Sequence, residues 1–375
     1  MNKKKVCILQ NGLARGGTDT FVVNLCKALN KDKFEVTVVN PSNKPDSLFR
    51  EVEVLATGAT IIHTHPLIGI KGRALHLCRL YRLLRQVRFD VFQTNIDLFN
   101  GPNLFVAWMA GIPIRCCHSH NTRQQKNVVK GESFLITLYQ KMMRWMCWHF
   151  SNRRCGCSEE AMNFLYNGYP WQQNEYPSVI YNGIELNKFR HQAFDVSFIK
   201  QQLGFLARHY ILTVGNIIPQ KNPFFIAQIM KEVCAVRDDV ELLWVGTGNL
   251  QKDVMAMIEE FELNQKVHFL GSRNDVPTIM KCCDVFLLPS LFEGLGIVLI
   301  EAQASGLPCV VSDNVPQLAN CGAVQYLSLS SSNSIWVASI LDAIDGEEEI
   351  VIDNKKLQNF SIEHMAEQME LVFNS

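Results

Sequence analysis

Glu293 and Glu301 stand eight residues apart across a glycine-rich turn, in a segment that reads DVFLLPSLFEGLGIVLIEAQASGLPCVVSD from Asp284 to Asp313. An apolar run ends at Pro289–Ser290, the EGLG turn follows, and helical periodicity starts near Ile297. Gly294 and Gly296, with Leu295 between them, let a ligand approach the backbone. The N–H groups that open the helix form an anion site suited to a diphosphate. Taken alone, the same glycines describe a tight turn. If the stretch between them were wholly helical, the glutamates would lie about 12 Å apart along the axis. That is beyond the roughly 5–9.5 Å of a glycosidase acid/base pair. They read as two hydrogen-bonding stations along one extended ligand, although a single glutamate is more often a solvated helix residue.

In the first half, IRCCHSHNT puts His118 and His120 at strand spacing, so both rings point to one face. As metal ligands they lack a third partner, and His63-x-His65 is a similar pair with no better claim. The alternative is a plain polar strand end. NGLARGGTDTF carries Gly16 and Gly17 before a helix that Thr18 could cap, without the Gly-Lys-Ser/Thr of a nucleotide P-loop. No two aspartates are two apart, so a D-x-D metal motif is absent, and no residue is an obvious nucleophile.

These groups need a scaffold, and the chain alternates β-rich runs with amphipathic ones. Strands are expected at Lys5–Gln10, Glu35–Asn40, Asp90–Asn95, Ile114–Ser119, Arg154–Ser158 and Val179–Asn182. A second series runs through Ile211–Gly215, Glu241–Gly246, Val267–Gly271, Asp284–Pro289 and Pro308–Ser312. Helices are expected at Thr18–Leu29, Lys71–Arg88, Glu132–Phe150 and Phe224–Val236. Strand–helix alternation occurring twice predicts an α/β protein of two Rossmann-like, doubly wound domains facing across a cleft. Such sheets bind ligands at the carboxyl ends of their strands. The boundary falls at YNGIELNKF, giving domains 1–183 and 184–360 and a closing helix at 361–375 that is open to packing back on the first domain.

The 375 residues suit two domains, and 47% hydrophobic residues suit a real core. Net charge is zero, but it is split. Residues 1–183 hold 23 Lys+Arg against 12 Asp+Glu, and the remainder holds 13 against 24. Opposite signs imply different ligands for the two halves. Lys71–Arg88 has six basic residues and no acidic one, and Glu132–Phe150 is rich in aromatics and Met. Basic amphipathic helices suit an anionic membrane surface. Equally, both could cover a sheet with snorkelling arginines. Thirteen cysteines without C-x-x-C read as reduced, buried thiols. Neither a signal peptide nor a run of roughly 20 apolar residues is present, so a cytoplasmic protein is expected.

FEGLGIVLIEAQASGLPCVVSD, with its E-x7-E spacing, resembles the retaining glycosyltransferases of GT-B architecture, including bacterial capsule, exopolysaccharide and lipopolysaccharide enzymes. VGNIIPQKN, VGTGNL, VHFLGSRNDV and YNGIELNKF are similar to that family's other segments, so the likeness spans about residues 10–315. The resemblance implies a nucleotide-diphosphate sugar as donor, bound by Gly215, Asn216, Lys221, Gly246, Gly248, Leu270, Arg273, Glu293, Gly294, Leu295, Gly296, Ile297 and Glu301. Within that set Lys221 and the loop amides would neutralise the diphosphate, Glu293 would meet the sugar hydroxyls, and Glu301 would hold the ribose. Gly16, Gly17 and Thr18 would form an acceptor or phosphate loop. A strand-end histidine, His120 with Asn121 or else His118, would contact donor sugar or acceptor.

The chain departs from the family's pattern at Asn216, where many members carry Arg; this shifts phosphate neutralisation towards Lys221. Arg273 has a surface role as its alternative. The resemblance further implies transfer of a hexose-type sugar with retention, without metal or other cofactor, and a saccharide or lipid-linked saccharide as acceptor. Cytoplasmic residence with peripheral contact at the inner face of the plasma membrane is expected, and no nucleic acid. The alternatives are a GT-B-shaped UDP-sugar epimerase and a non-catalytic sugar- or nucleotide-binding partner of a polysaccharide-assembly complex.

Overall fold

The computed structural model describes residues 3–14, 16–120, 134–173, 175–190, 200–201, 204–205, 207–346 and 350–375. Asn121 and Glu132 therefore lie outside the described residues. The chain divides into two units, one of 1–184 with 359–375, the other of 185–358.

The first unit is a six-stranded parallel sheet: β1 (Lys4–Leu9), β2 (Phe34–Asn40), β3 (Thr60–His63), β4 (Val91–Thr94), β5 (Ile114–Ser119) and β6 (Arg153–Gly156), in the order β3-β2-β1-β4-β5-β6. Its helices are α1 (Gly17–Ala28), α2 (Glu51–Ala56), α3 (Gly69–Val87), α4 (Asn100–Met109), α5 (Phe134–Phe150) and α6 (Glu159–Tyr166). Both faces of the sheet are covered, so its inner strands are buried on both sides, β1 from Val6 to Leu9 and β4 along its whole length. Along β1, Val6 and Ile8 enter a core closed by α1, while Cys7 and Leu9 enter one closed by α3, α4, α5 and α6.

The second unit begins with the short helix α7 (Leu186–Phe189). Its strands are β7 (His209–Val214), β8 (Val240–Val245), β9 (Val267–Gly271), β10 (Val285–Leu288), β11 (Cys309–Ser312) and β12 (Val324–Leu327), parallel in the order β12-β11-β10-β7-β8-β9. Its other helices are α8 (Pro223–Val236), α9 (Gln251–Glu260), α10 (Val276–Lys281), α11 (Ile297–Ala304), α12 (Asn333–Asp345) and α13 (Asn354–Gln358). Trp244, Ile211, Leu287 and Val310 pack on one face against Ile226 and Met230 of α8 and Trp336 and Ile340 of α12.

After Gln358 the chain returns to the first unit, where α14 (Ile362–Asn374) packs on α1. Met365, Met369, Val372 and Phe373 enter the same core as Val6 and Ile8. Gly183 lies hard against this return, and a Cβ there would come within 2.7 Å of Ile362 Cα.

Three expectations need correction. Val179–Asn182 is not a ladder strand; it makes a single bridge from Val179 to Gly156, with Ile180 N donating to Gly156 O. The edge strands β3 and β12 were not expected. The cap of α1 is Gly16 rather than Thr18.

Candidate functional site

In each unit the strand order reverses once, between β1 and β4 in the first and between β7 and β10 in the second. In an open α/β sheet, the loops at such a reversal diverge and leave a crevice beyond the strand carboxyl ends.

In the second unit, the loops that leave β7 and β10 are tied together over that crevice. Leu291 N donates to Gln220 O at 2.8 Å, and Gln220 Nε2 donates to Phe292 O at 3.1 Å. Lys221 Nζ then reaches Glu293 Oε1 at 2.6 Å, and Ser290 Oγ donates to the same oxygen at 2.7 Å. Lys221 closes a short 3-10 turn, Pro219–Lys221, followed by Asn222 in the left-handed region and Pro223 at the first position of α8. The turn aims the ammonium back across the loops, where its side chain is 17% exposed and that of Glu293 is 8% exposed.

Glycines let the loops after β7 and β8 approach one another. Gly246 has φ +135°, and a Cβ there would sit 2.0 Å from Gly215 O; one on Gly248 would sit 2.1 Å from Ile217 O. Gly246 N donates to Gly271 O at 2.8 Å, which joins the end of β9 beyond Leu270 to the same group.

Beyond the EGLG turn, α11 opens at Gly296 (φ +75°) with no side chain capping it and no acidic residue in its first turn. Its leading N–H groups are the ones a helix cannot pair with itself, and they carry the positive end of the dipole. Leu295 is buried, while Gly294 is exposed, with open space where a Cβ would be. Only Ile297–Glu301 of the E-x7-E segment is helical, so the two glutamates are not stations along one helix. Glu301 lies partly buried in α11, and burial pushes its carboxyl up to about 7. Among the described residues that carboxylate has no hydrogen-bond or ion-pair partner. The loops at this reversal and the helix that follows thus carry a cation, an uncapped helix N-terminus and two carboxyl groups, a set suited to a polyhydroxylated diphosphate. Arg273 takes no part in this set; its guanidinium is paired with Asp275 at 2.6 and 2.8 Å on the exposed surface. Asn216 is exposed beside Gly215.

The reversal in the first unit is built differently. Asp19, in the first turn of α1, accepts from Ala14 N at 3.1 Å, Gly16 N at 3.2 Å and Gln10 Nε2 at 2.7 Å. The Gly16–Gly17 loop is thus already engaged by a carboxylate, which disfavours a second anion there. Next to it, at the ends of β4 and β5, the His118 and His120 rings stack at 4.4 Å, and Phe21 of α1 meets both edge-on at 4.6 and 4.9 Å. His118 is fully enclosed, with neither ring nitrogen hydrogen-bonded. Burial, and the neighbouring His120, hold its pKa well below the usual histidine range. His120 is partly exposed, and its Nε2 lies 3.1 Å from Asn95 Oδ1; burial of its ring pushes its pKa down to about 3. Of the two histidines, His120 is the one at the surface of the unit.

Several partners in these sites were not singled out from sequence: Ser290, Gln220, Asp19, Asn95 and Gln93, whose Nε2 donates to Asn95 Oδ1 at 3.0 Å. A polar residue inside a strand buried on both faces, as Gln93 is in VFQTN, is a usable signal. Among the described residues no three His, Cys, Asp or Glu side chains group to hold a metal ion, and no helix is long and apolar enough to cross a membrane.

The model of the family described as Glycosyl transferases group 1 matches residues 195–321, and that of Glycosyltransferase Family 4 matches residues 15–188. EpsF of Bacillus subtilis (strain 168), named as a glycosyltransferase, is 29% identical over 346 residues, covering 91% of this chain and 88% of the relative. The Escherichia coli UDP-Gal:alpha-D-GlcNAc-diphosphoundecaprenol alpha-1,3-galactosyltransferase is 31% identical over 248 residues, covering 63% of this chain and 61% of the relative. The crystal structure of Anabaena Alr3699/HepE in complex with UDP and glucose superposes with a TM-score of 0.77 at 18% identity, covering 98% of each chain. The two matches take in β2–β6 and β7–β11, five of the six strands of each sheet; both models are of glycosyltransferases, and with the likeness in fold they support a GT-B glycosyltransferase.

Proposed function

We propose that the enzyme transfers a hexose-type sugar from a nucleotide-diphosphate donor to a lipid-linked saccharide, with retention at the anomeric carbon, in bacterial polysaccharide or glycolipid synthesis. The observation that carries the donor half is the uncapped N-terminus of α11 beside the Lys221–Glu293 pair, at the reversal of the second sheet. In this reading Lys221 and the leading amides of α11 take the diphosphate. Charge that develops on the departing phosphate as the glycosidic bond breaks is met by donors already in place. Glu293 receives hydroxyls of the donor sugar, and Glu301 receives those of the ribose. His120 faces the donor sugar or the acceptor. No metal or other cofactor is required, because the cation and the helix terminus serve the diphosphate.

The acceptor class is supported by names among the relatives. The E. coli protein acts on a GlcNAc-diphosphoundecaprenol, and a 24% identical Campylobacter jejuni relative is named for a diphospho-undecaprenol saccharide. A peripheral contact with anionic membrane fits such an acceptor. The outer side of the α3–α4–α5 layer supports it: Lys71, Arg73, Arg79, Arg82, Arg85 and Arg88 are exposed along and just beyond α3, and Leu135, Leu138, Met142 and Trp145 are exposed on α5. The inner sides of these helices cover the sheet, which leaves their outer sides free for such a contact.

The test is a panel of UDP- and GDP-hexoses screened by thermal shift, then incubated with undecaprenyl-diphosphate saccharides, with the product's anomeric configuration read by NMR. An α-linked product from an α-linked donor is expected. An inverted product would overturn retention. Epimerised nucleotide sugar without acceptor would favour an epimerase, and binding without release of nucleotide diphosphate would favour a non-catalytic partner.

A further inference from the structure

The bend between β3 and α3 is pinned at its base and apolar at its tip. As the chain leaves β3, Thr64 N donates to Asn40 O at 3.3 Å, and Thr64 Oγ1 meets His76 Nδ1 of α3 at 2.7 Å. His76 Nε2 lies 3.1 Å from Asn103 Oδ1 of α4, and Asn103 Nδ2 donates to Phe99 O at 3.0 Å. Thr64, His76 and Asn103 are buried, so these bonds are shielded from water. Further out, Gly72 lies against Pro66, where a Cβ would come within 2.4 Å of Pro66 O. Between those two residues the chain turns at Gly69 (φ +64°) and leaves Ile68 70% and Ile70 88% exposed.

Single apolar residues on a surface need no explanation. These two stand in an unusual electrostatic setting. No Asp or Glu occurs between Glu53 and Asp90, whereas Lys71 and Arg73 follow the tip at once and four further arginines continue the row to Arg88. Lys71 and Arg73 are themselves exposed. A fixed apolar point beside cations, with no acid near it in sequence, suits an anionic bilayer: lipid phosphates meet the cations while the isoleucines enter the acyl boundary. We propose that Pro66–Ile70 is a wedge that enters an anionic lipid leaflet ahead of the rest of α3, with Lys71 and Arg73 at the phosphates. The wedge follows the carboxyl end of β3, so docking through it turns the carboxyl ends of the first sheet towards the bilayer. The proposal rests on the reading of a membrane contact and a lipid-linked acceptor.

A helix lying flat would also use the basic row, and depth separates the two cases. Tyr81 lies on the same side of α3 as Ile70, three turns on and about 16 Å along the axis, and is also exposed. The experiment places the fluorescent amino acid dansylalanine at position 70 or position 81 of the full chain. Each protein is mixed at low salt with equimolar phosphatidylglycerol–phosphatidylcholine vesicles whose acyl chains are brominated near the headgroup. Emission from position 70 is expected to shift to the blue and to be quenched several-fold more than emission from position 81. In parallel, Ile68→Ser combined with Ile70→Ser is expected to weaken vesicle binding about tenfold or more, with an unchanged melting temperature. Transfer to acceptor held in vesicles should fall in step, while transfer to a water-soluble short-chain acceptor stays as in wild type. Equal quenching at the two positions overturns the wedge in favour of a flat helix. Wild-type binding by the double serine variant overturns it too, and equal loss of transfer to both acceptors would put the isoleucines in the acceptor site instead. If the wild-type chain does not bind these vesicles at all, the membrane contact itself fails, so the two failures are read apart.

Discussion

Lys221 Nζ and Glu293 Oε1, 72 residues apart in sequence, meet at 2.6 Å where the loops from β7 and β10 cross the reversal of the second sheet. Without ligand, each charge is neutralised by the other; a bound diphosphate would take the lysine and release the glutamate towards the sugar. Lys221→Ala and Glu293→Gln are each expected to lower transfer by about 10²–10³-fold. Near wild-type turnover in either folded variant would remove the donor site from this position. Because the pair is largely buried, each single change also leaves a partner poorly paired. In urea denaturation, Lys221→Ala combined with Glu293→Gln is expected to cost about 1–3 kcal/mol less than the two singles summed. Strict additivity would mean the two charges are not coupled.

Glu301 gives a pH dependence with a definite sign. Its folded-state pKa of about 7 lies above the ordinary carboxyl value of 4.5, so the folded protein binds the extra proton. The stabilisation is complete below the unfolded value and is lost as pH rises through about 7. Glu301→Gln should match wild type in unfolding free energy near pH 5 and exceed it near pH 8, by at most about 3 kcal/mol. A variant destabilised equally at both pH values would contradict this.

Two glycines of the donor loops separate folding from binding. Gly246→Ala forces φ +135° on a side chain and drives its Cβ into Gly215 O, so a loss of more than about 3 kcal/mol, or failure to fold, is expected. At Gly294 a Cβ meets open space and φ is not positive, so Gly294→Ala should melt as wild type does. Reduced donor affinity in that normally folded variant would report a ligand pressed against the loop; unchanged affinity would move the ligand away from it.

Activity should survive EDTA. In the proposed function Lys221 and the α11 N-terminus would meet the diphosphate in place of a divalent ion. Loss on chelation, restored by Mg²⁺ or Mn²⁺, would show that a metal carries the phosphate chemistry.

Liposome sedimentation tests the outer face of the α3–α4–α5 layer. Binding to vesicles containing phosphatidylglycerol but not to neutral ones is expected. It should weaken as the Debye length falls from about 10 Å at 0.1 M salt to about 3 Å at 1 M. Each basic residue near such a surface contributes about 1 kcal/mol, so changing Arg79, Arg82, Arg85 and Arg88 to Gln should abolish it at low salt. Equal binding to neutral and anionic vesicles would point to the exposed apolar residues of α5 acting alone.

Most of the scaffold was legible in the sequence because central strands of a doubly covered sheet are continuously apolar, as in β1 and β8. The edges were not. In β3, TIIH, and β12, VQYL, every residue is at least partly exposed, so little apolar signal marks them. Val179–Asn182 has the composition of a strand, yet one bridge to Gly156 is all its neighbour allows. In the site, the EGLG turn and the helix after it could be read from composition, since both are local. That Lys221 meets Glu293, or that Asn95 meets His120, depends on which strands lie side by side, and no local pattern encodes that. The capping of α1 by Asp19 was missed for a nearer reason: Thr18 is a good cap by type, but the helix begins one residue before it.

The return of α14 to the first unit has a consequence for synthesis. The second unit is one unbroken stretch and can close as soon as it is made, whereas the first must wait for a piece of its own core. Until Met365, Met369, Val372 and Phe373 emerge, the groove they fill beside α1 faces solvent. At the usual pace of translation that interval is on the order of ten seconds or more. The half of the protein made first is therefore finished last, and its exposed apolar groove is the nascent chain's point of greatest exposure to aggregation or to a chaperone.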